Sequence, residues 1–143
     1  MSTSPSTGSA GGSGIATRLG IASGQIVLEI GHDTDCDQDL RQQVVAMSGS
    51  ELLAGETDEV VDVALLWWRE DDGDLVDALV DALTYLADGG VIWVLTPKAG
   101  RPGHVEPSDL QEAAPTAGLS QTSSFAAAKD WTATKLVTPK SRR

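Results

Sequence analysis

The chain has a single cysteine, Cys36, so no intrachain disulfide is possible. That usage fits a reducing compartment. It has no run of about 18 apolar residues, so no segment is expected to span a membrane. It has no basic stretch leading into an apolar core at its start, so no signal peptide is expected. A cytoplasmic protein is the resulting expectation. Bases are scarce: 10 Lys and Arg stand against 21 Asp and Glu, a formal charge of −11 over 143 residues. The deficit is uneven. Residues 1–97 hold 17 acids and 3 bases (−14), and residues 98–143 hold 4 acids and 7 bases (+3). So acidic a body argues against non-specific duplex binding, which needs cations to displace counterions. Nucleic acid contact through Lys129, Lys135, Lys140, Arg142 and Arg143 is therefore a remote alternative. The ordinary role of such a charge is solubility. Two motifs are also missing: the Gly-x-Ser-x-Gly nucleophile elbow and the phosphate loop ending in Gly-Lys-Ser/Thr.

What is present reads as one domain. Residues 1–16 are rich in Ser, Thr and Gly and have almost nothing to bury, so disorder is expected there. Residues 17–139 carry the periodic pattern, and 140–143 form a basic tail. Gln25–Gly31 is a short apolar run between glycines, a buried strand. Asp37 or Asp39 can cap a helix to Met47, with Leu40, Val44 and Met47 on one face. A small strand or turn is expected in 48–57. Val60–Trp68 is apolar almost throughout apart from Asp62, as in a parallel sheet covered on both faces. Asp72 or Gly73 opens a helix with the stripe Leu75, Val76, Leu79, Val80, Leu83 and Leu86, closed by Gly89-Gly90. A third strand covers Val91–Thr96. Pro107 begins a helix that Pro115 stops near Ala114. Leu119–Ala127 and Thr132–Val137 pair around a turn at Lys129-Asp130.

The run Leu19–Gly31 resembles the opening strand of a class I methyltransferase, which leads into a glycine-rich loop that cradles S-adenosylmethionine. The resemblance continues in element order through Asp62–Trp68, residues 73–88, Gly89–Val94 and the step Ala117-Gly118-Leu119. It implies a three-layer α/β, Rossmann-like, methyltransferase-like domain. Its sheet would be mostly parallel with a C-terminal antiparallel strand pair, and shortened between the first strand and the next. Only residues 32–61 stand where a standard domain places two strands and two helices. The chain is also similar to an actinobacterial family catalogued as domain of unknown function 3052. Gly24–Asp39, Leu65–Asp77, Gly90–Val105 and Ala113–Ser124 carry that similarity, which implies no reaction.

The loop after the first strand reads His32-Asp33-Thr34-Asp35-Cys36-Asp37, with carboxylates where a cofactor loop has glycines. They would repel a pyrophosphate, so nicotinamide and flavin dinucleotides are poor candidates. In an open parallel sheet, ligands sit beyond the carboxyl ends of the strands. That rule gathers Gly31, His32, Asp33, Asp35, Cys36 and Asp37 with Trp68, Arg69, Glu70, Asp71 and Asp72, and with Lys98, Arg101 and His104. Lys98 and Arg101 would face an anion or neutralise the acidic loops. Trp67 or Trp68 would form a wall or join the core, but not both on one surface, because adjacent strand residues face opposite ways. Asp33-x-Asp35-x-Asp37 begins like a calcium loop, but Gln38 and Val44 replace the required Gly and Glu. His32, Cys36 and a carboxylate could hold a transition metal, but a convincing zinc site needs more ligands. Four aspartates disfavour a Cys36 thiolate nucleophile. The expectation is a non-catalytic binding or regulatory module with no catalytic residues, metal or cofactor, meeting a protein or small anion. The alternative is a divergent S-adenosylmethionine-dependent methyltransferase, with Asp33 or Glu29 on the cofactor and Arg69 or Lys98 on the substrate.

Overall fold

Six strands form one sheet in the order β2-β1-β3-β4-β6-β5. They are β1 (Val27–Ile30), β2 (Leu53–Ala54), β3 (Val61–Trp67), β4 (Leu86–Pro97), β5 (Ser120–Ala126) and β6 (Trp131–Val137). Three helices connect them: α1 (Gln38–Ser48), α2 (Leu75–Leu83) and α3 (Pro107–Thr116). The structure is a computed structural model that describes residues 15–54 and 57–138. The first four strands are parallel to one another, whereas β6 runs antiparallel to β4 and β5 antiparallel to β6. This is the expected α/β architecture with its C-terminal antiparallel pair. The expected shortening is equally plain: one helix and a two-residue strand occupy the interval between β1 and β3.

Alternation along β3 builds two cores at once. Val63, Leu65 and Trp67 face α1 and residues 15–21, with Leu40 and Val44 opposite them. Ala64, Leu66 and Trp68 face α2 and α3, against Leu79, Ala82, Leu110 and Ala114. A strand buried on both faces reads as a continuous apolar run, which is why β3 was legible. The exception, Asp62, is half-buried, and its carboxylate accepts the Ile26 N–H at 2.9 Å, fastening the entrance of β1.

Several sequence expectations shift. Asp37 caps α1 through the Leu40 N–H at 2.9 Å, but Met47 is 37% exposed and Ser48 takes the inward position. Helix α2 starts after the Asp74 cap and ends at Leu83, five residues short of Asp88. The reason lies in the sheet. Val61 N–H needs an acceptor and finds the Tyr85 carbonyl at 2.8 Å, which draws the chain out of the helix. Leu86 therefore pairs with Val61 in β4, Val80 is left exposed, and Gly89 lies inside an irregular stretch of strand. Pro115 does not stop α3, which runs one residue further to Thr116. The domain also begins earlier than residue 17: residues 15–18 are helical and Ala16 is buried. Leu19 is held by the Trp93 indole, which donates to its carbonyl at 2.9 Å. The disorder expected for residues 1–14 and the tail at 140–143 lie outside the described residues.

Candidate functional site

Strand β1 connects outward to β2, and β3 lies on its other side, so the topological switch point falls between β1 and β3. A depression of about 300 Å³ opens there, beyond the carboxyl ends of both strands. Gly31, His32 and Asp33 line one side of it, and Trp67, Trp68, Arg69 and Asp72 the other.

Arg69 dominates this crevice. Its guanidinium donates to both carboxylate oxygens of Asp35, at 2.6 and 3.0 Å. It also donates to the carbonyls of Gly31 (2.9 Å) and Trp67 (3.2 Å) and to the Asp72 carboxylate (3.2 Å). Its side chain is only 14% exposed and lies over the Trp131 ring, 5.3 Å from the centroid. The Arg69 hydrogen bonds hold the Asp35 carboxyl below its ordinary value, against a smaller opposing effect of burial. The same pairing raises the pKa of Arg69. Trp131 in turn donates its indole N–H to the Asp35 carbonyl at 3.1 Å. The loop after β1 is thus fastened by its side chain to β3 and by its backbone to β6.

Gly31 has φ +82, a conformation that L side chains rarely adopt, and a Cβ there would lie 2.4 Å from the Trp67 carbonyl oxygen. Its lack of a side chain therefore serves the approach of β1 to β3. Cys36 is buried, and its sulfur accepts the Asp33 N–H at 3.2 Å. Burial pushes its thiol pKa up, outweighing the Arg69 charge, so it is not poised as a thiolate.

The three loops do adjoin: the Gly103 carbonyl of the third accepts the Glu70 N–H of the second at 2.9 Å, and Gly103 lies against the Arg69 side chain. The charged side chains of the third loop turn elsewhere. Arg101 pairs with Asp130 at 2.9 Å, in the turn between β5 and β6, not with the acids at 32–39. His104 Nδ1 lies 2.9 Å from the Pro97 carbonyl, and its Nε2 lies 3.5 Å from the Glu106 carboxylate. Lys98 is half-buried and makes no ion pair among the described residues. None of these three lines the depression. Trp67 and Trp68 both reach its wall, although they belong to opposite cores. Among the described residues, no three of His, Cys, Asp and Glu converge as they would around a metal ion.

Sequence reading missed the role of Glu29, which is not available to a ligand. Its side chain is 3% exposed, receives Arg41 Nη2 at 2.8 Å together with Arg41 Nε, and accepts the Trp67 indole N–H at 2.9 Å. The signal was a lone carboxylate inside a buried strand, which requires a buried partner.

Comparison with known proteins agrees with this anatomy. Residues 16–140 match the family described as "Protein of unknown function (DUF3052)". An uncharacterized protein of Mycobacterium bovis is 55% identical over 130 residues, covering 91% of this chain and 82% of its own length. An uncharacterized protein of Mycobacterium tuberculosis matches equally well, at 55% over 130 residues. Among solved structures, a SAM-dependent methyltransferase from Aquifex aeolicus superposes with a TM-score of 0.62 at 11% identity, over 89% of each chain. The glycopeptide N-methyltransferase MtfA, complexed with sinefungin, gives 0.58 at 12% identity, over 92% of this chain and 96% of its own. Identities this low speak to fold alone. No helix among the described residues is long and apolar enough to cross a membrane. By its sequence match the chain belongs to the DUF3052 family of proteins of unknown function, and its fold is that of the S-adenosylmethionine-dependent methyltransferases.

Proposed function

We propose that this protein is a non-catalytic binding module on a methyltransferase-like scaffold. The observation that carries the reading is Arg69. It joins the exits of β1 and β3 across the switch point and takes up the Gly31 carbonyl and the Asp35 carboxylate. A cofactor loop needs backbone free to approach its ligand. Here the one glycine at the exit of β1 is spent on contact with Trp67, and the loop beyond it is fixed by the Asp35–Arg69 ion pair. The residues present therefore do not fit S-adenosylmethionine. Nor do the perturbed groups of the crevice suit proton transfer: Asp35 is stabilised as a carboxylate and Cys36 as a thiol. The exposed rim, including His32 and Asp33 with Glu70 and Asp71, is left for a partner.

A second reading, a divergent S-adenosylmethionine-dependent methyltransferase, draws support from the location of the depression at the switch point. Calorimetric and thermal-shift titration with S-adenosylmethionine and S-adenosylhomocysteine separates the two. Ligand at 100 times its dissociation constant adds about 2.7 kcal/mol of stability. For a domain of this size that raises Tm by about 10 °C. No shift is expected for the wild-type protein. A rise of that size, with heat of binding to match, would replace the binding-module reading with the enzyme.

A further inference from the structure

We infer that the acidic groove beside the crevice docks a basic peptide segment of a partner protein, holding a Lys or Arg side chain among carboxylates and a backbone carbonyl on Trp68. The inference deepens the binding-module reading and rests on it. The groove measures about 450 Å³ and is lined by Trp68, Glu70, Asp74, Leu75, Val105 and Asp109, with Gly73 at its edge. No lysine or arginine lines it, and the nearest arginine in sequence, Arg69, turns its guanidinium to Asp35.

The indole is the telling group. Three of the four tryptophans donate their N–H within the domain: Trp67 to Glu29, Trp93 to Leu19 and Trp131 to Asp35. Trp68 is 8% exposed, yet its N–H meets no acceptor among the described residues and is not sealed away from solvent. A tryptophan buried to this degree ordinarily finds a hydrogen-bond partner. Trp68 lines this groove, and its open donor is available to an acceptor from outside.

The walls call for a cation. The carboxylates of Glu70 and Asp109 make no ion pair among the described residues. Asp74 commits one oxygen to the N–H groups of Val76 and Asp77, at 2.9 and 3.4 Å, and keeps the other free. Leu75 and Val105 supply an apolar surface for the methylene stem of a long side chain. A donor for a carbonyl, three carboxylates for a cation and an apolar strip for its stem together match a peptide carrying lysine or arginine. A polyamine satisfies only the carboxylates. The acidic body of the chain would speed the encounter.

The test is a titration of the full ¹⁵N-labelled chain with acetyl-Gly-Arg-Gly-Arg-Gly-amide. The indole N–H signal of Trp68, assigned with Trp68→Phe, is followed against those of the other three tryptophans. The expected result is a saturable shift confined to Trp68, with affinity falling at least fivefold in E70Q/D109N and unchanged in D81N/D88N, whose acids lie outside the groove. Any of four results would overturn the inference: no Trp68 shift, equal weakening by D81N/D88N, the same shift with spermine, or a concentration-dependent shift without peptide that marks a second copy as occupant. The adenosyl titrations above decide the binding-module reading separately, so failure of one does not mask failure of the other.

Discussion

Replacing Arg69 with methionine should cost about 2–4 kcal/mol, and the parts of that sum can be traced. Methionine keeps an unbranched apolar stem and removes the guanidinium alone. Asp35 is 51% exposed and Asp72 a third exposed, so both rehydrate, and each lost pair costs no more than about 1 kcal/mol. The Gly31 carbonyl, which is exposed, and the Trp67 carbonyl, which is partly buried, lose a charged donor at about 1–3 kcal/mol together. The Trp131 face loses a cation worth about 0.5–1 kcal/mol. Urea unfolding monitored by circular dichroism measures the total. With a slope of about 1.5 kcal/mol per molar, the midpoint should fall by roughly 1.3–2.7 M. Pairing Arg69→Met with Asp35→Asn in a double-mutant cycle should return a coupling of about 1 kcal/mol. The pH dependence follows by sign. Asp35 has a folded-state pKa lowered from 3.8, chiefly by its Arg69 hydrogen bonds. Its contribution is complete above that value and lost as pH falls through the lowered one. The gap between wild type and Arg69→Met should therefore narrow as the medium is acidified below pH 3.8. A loss under about 1 kcal/mol at pH 7, or a gap that does not change with acid, would refute the clamp.

Other outcomes follow from the same geometry. Gly31→Ala should cost at least about 3 kcal/mol, read as a loss of Tm, because backbone strain adds to a 2.4 Å clash with the Trp67 carbonyl. Glu29→Gln should cost about 2–4 kcal/mol in urea, less than for a fully sealed pair because Arg41 is 24% exposed and can reach water. Met47→Lys should stay within about 0.5 kcal/mol of wild type, since the side chain already meets solvent. Cys36 should react with a thiol reagent at pH 8 on the order of 100-fold more slowly than glutathione, because attack needs local opening; labelling at the glutathione rate would contradict its burial.

Strand β3 and the part of β4 from Val91 on were legible because they are buried on both faces and read as nearly continuous apolar runs, interrupted in β3 by Asp62 alone. Helix α1 was legible from its Asp37 cap. Its last turn was not, because a helical stripe places Met47 and Ser48 almost equally and the neighbouring turn decides between them. Ser48 bonds the carbonyls of Val45 and Ser50, which suits a small polar side chain. The end of α2 depended on a carbonyl needed by Val61 across the sheet, a demand no local pattern encodes. In the crevice, topology correctly gathered the exits of β1 and β3. It could not show that Arg69 would turn inward to Asp35, or that Arg101 would find Asp130 instead of the acidic loop. Charge is readable from sequence, whereas the partner of a long flexible side chain is set by packing.

The indole of Trp131 reaches back across 96 positions of sequence to the carbonyl of Asp35, and its ring lies beneath Arg69. Contacts between residues so far apart in sequence form late, because a long loop must close before they gain anything. During synthesis the chain exposes its acidic loop, its arginine and the end of β1 well before residue 131 leaves the ribosome. The clamp is therefore completed in two stages: Arg69 can reach Gly31, Asp35, Trp67 and Asp72 once β1 and β3 pair, and β6 adds the aromatic face and the bond to the loop backbone last.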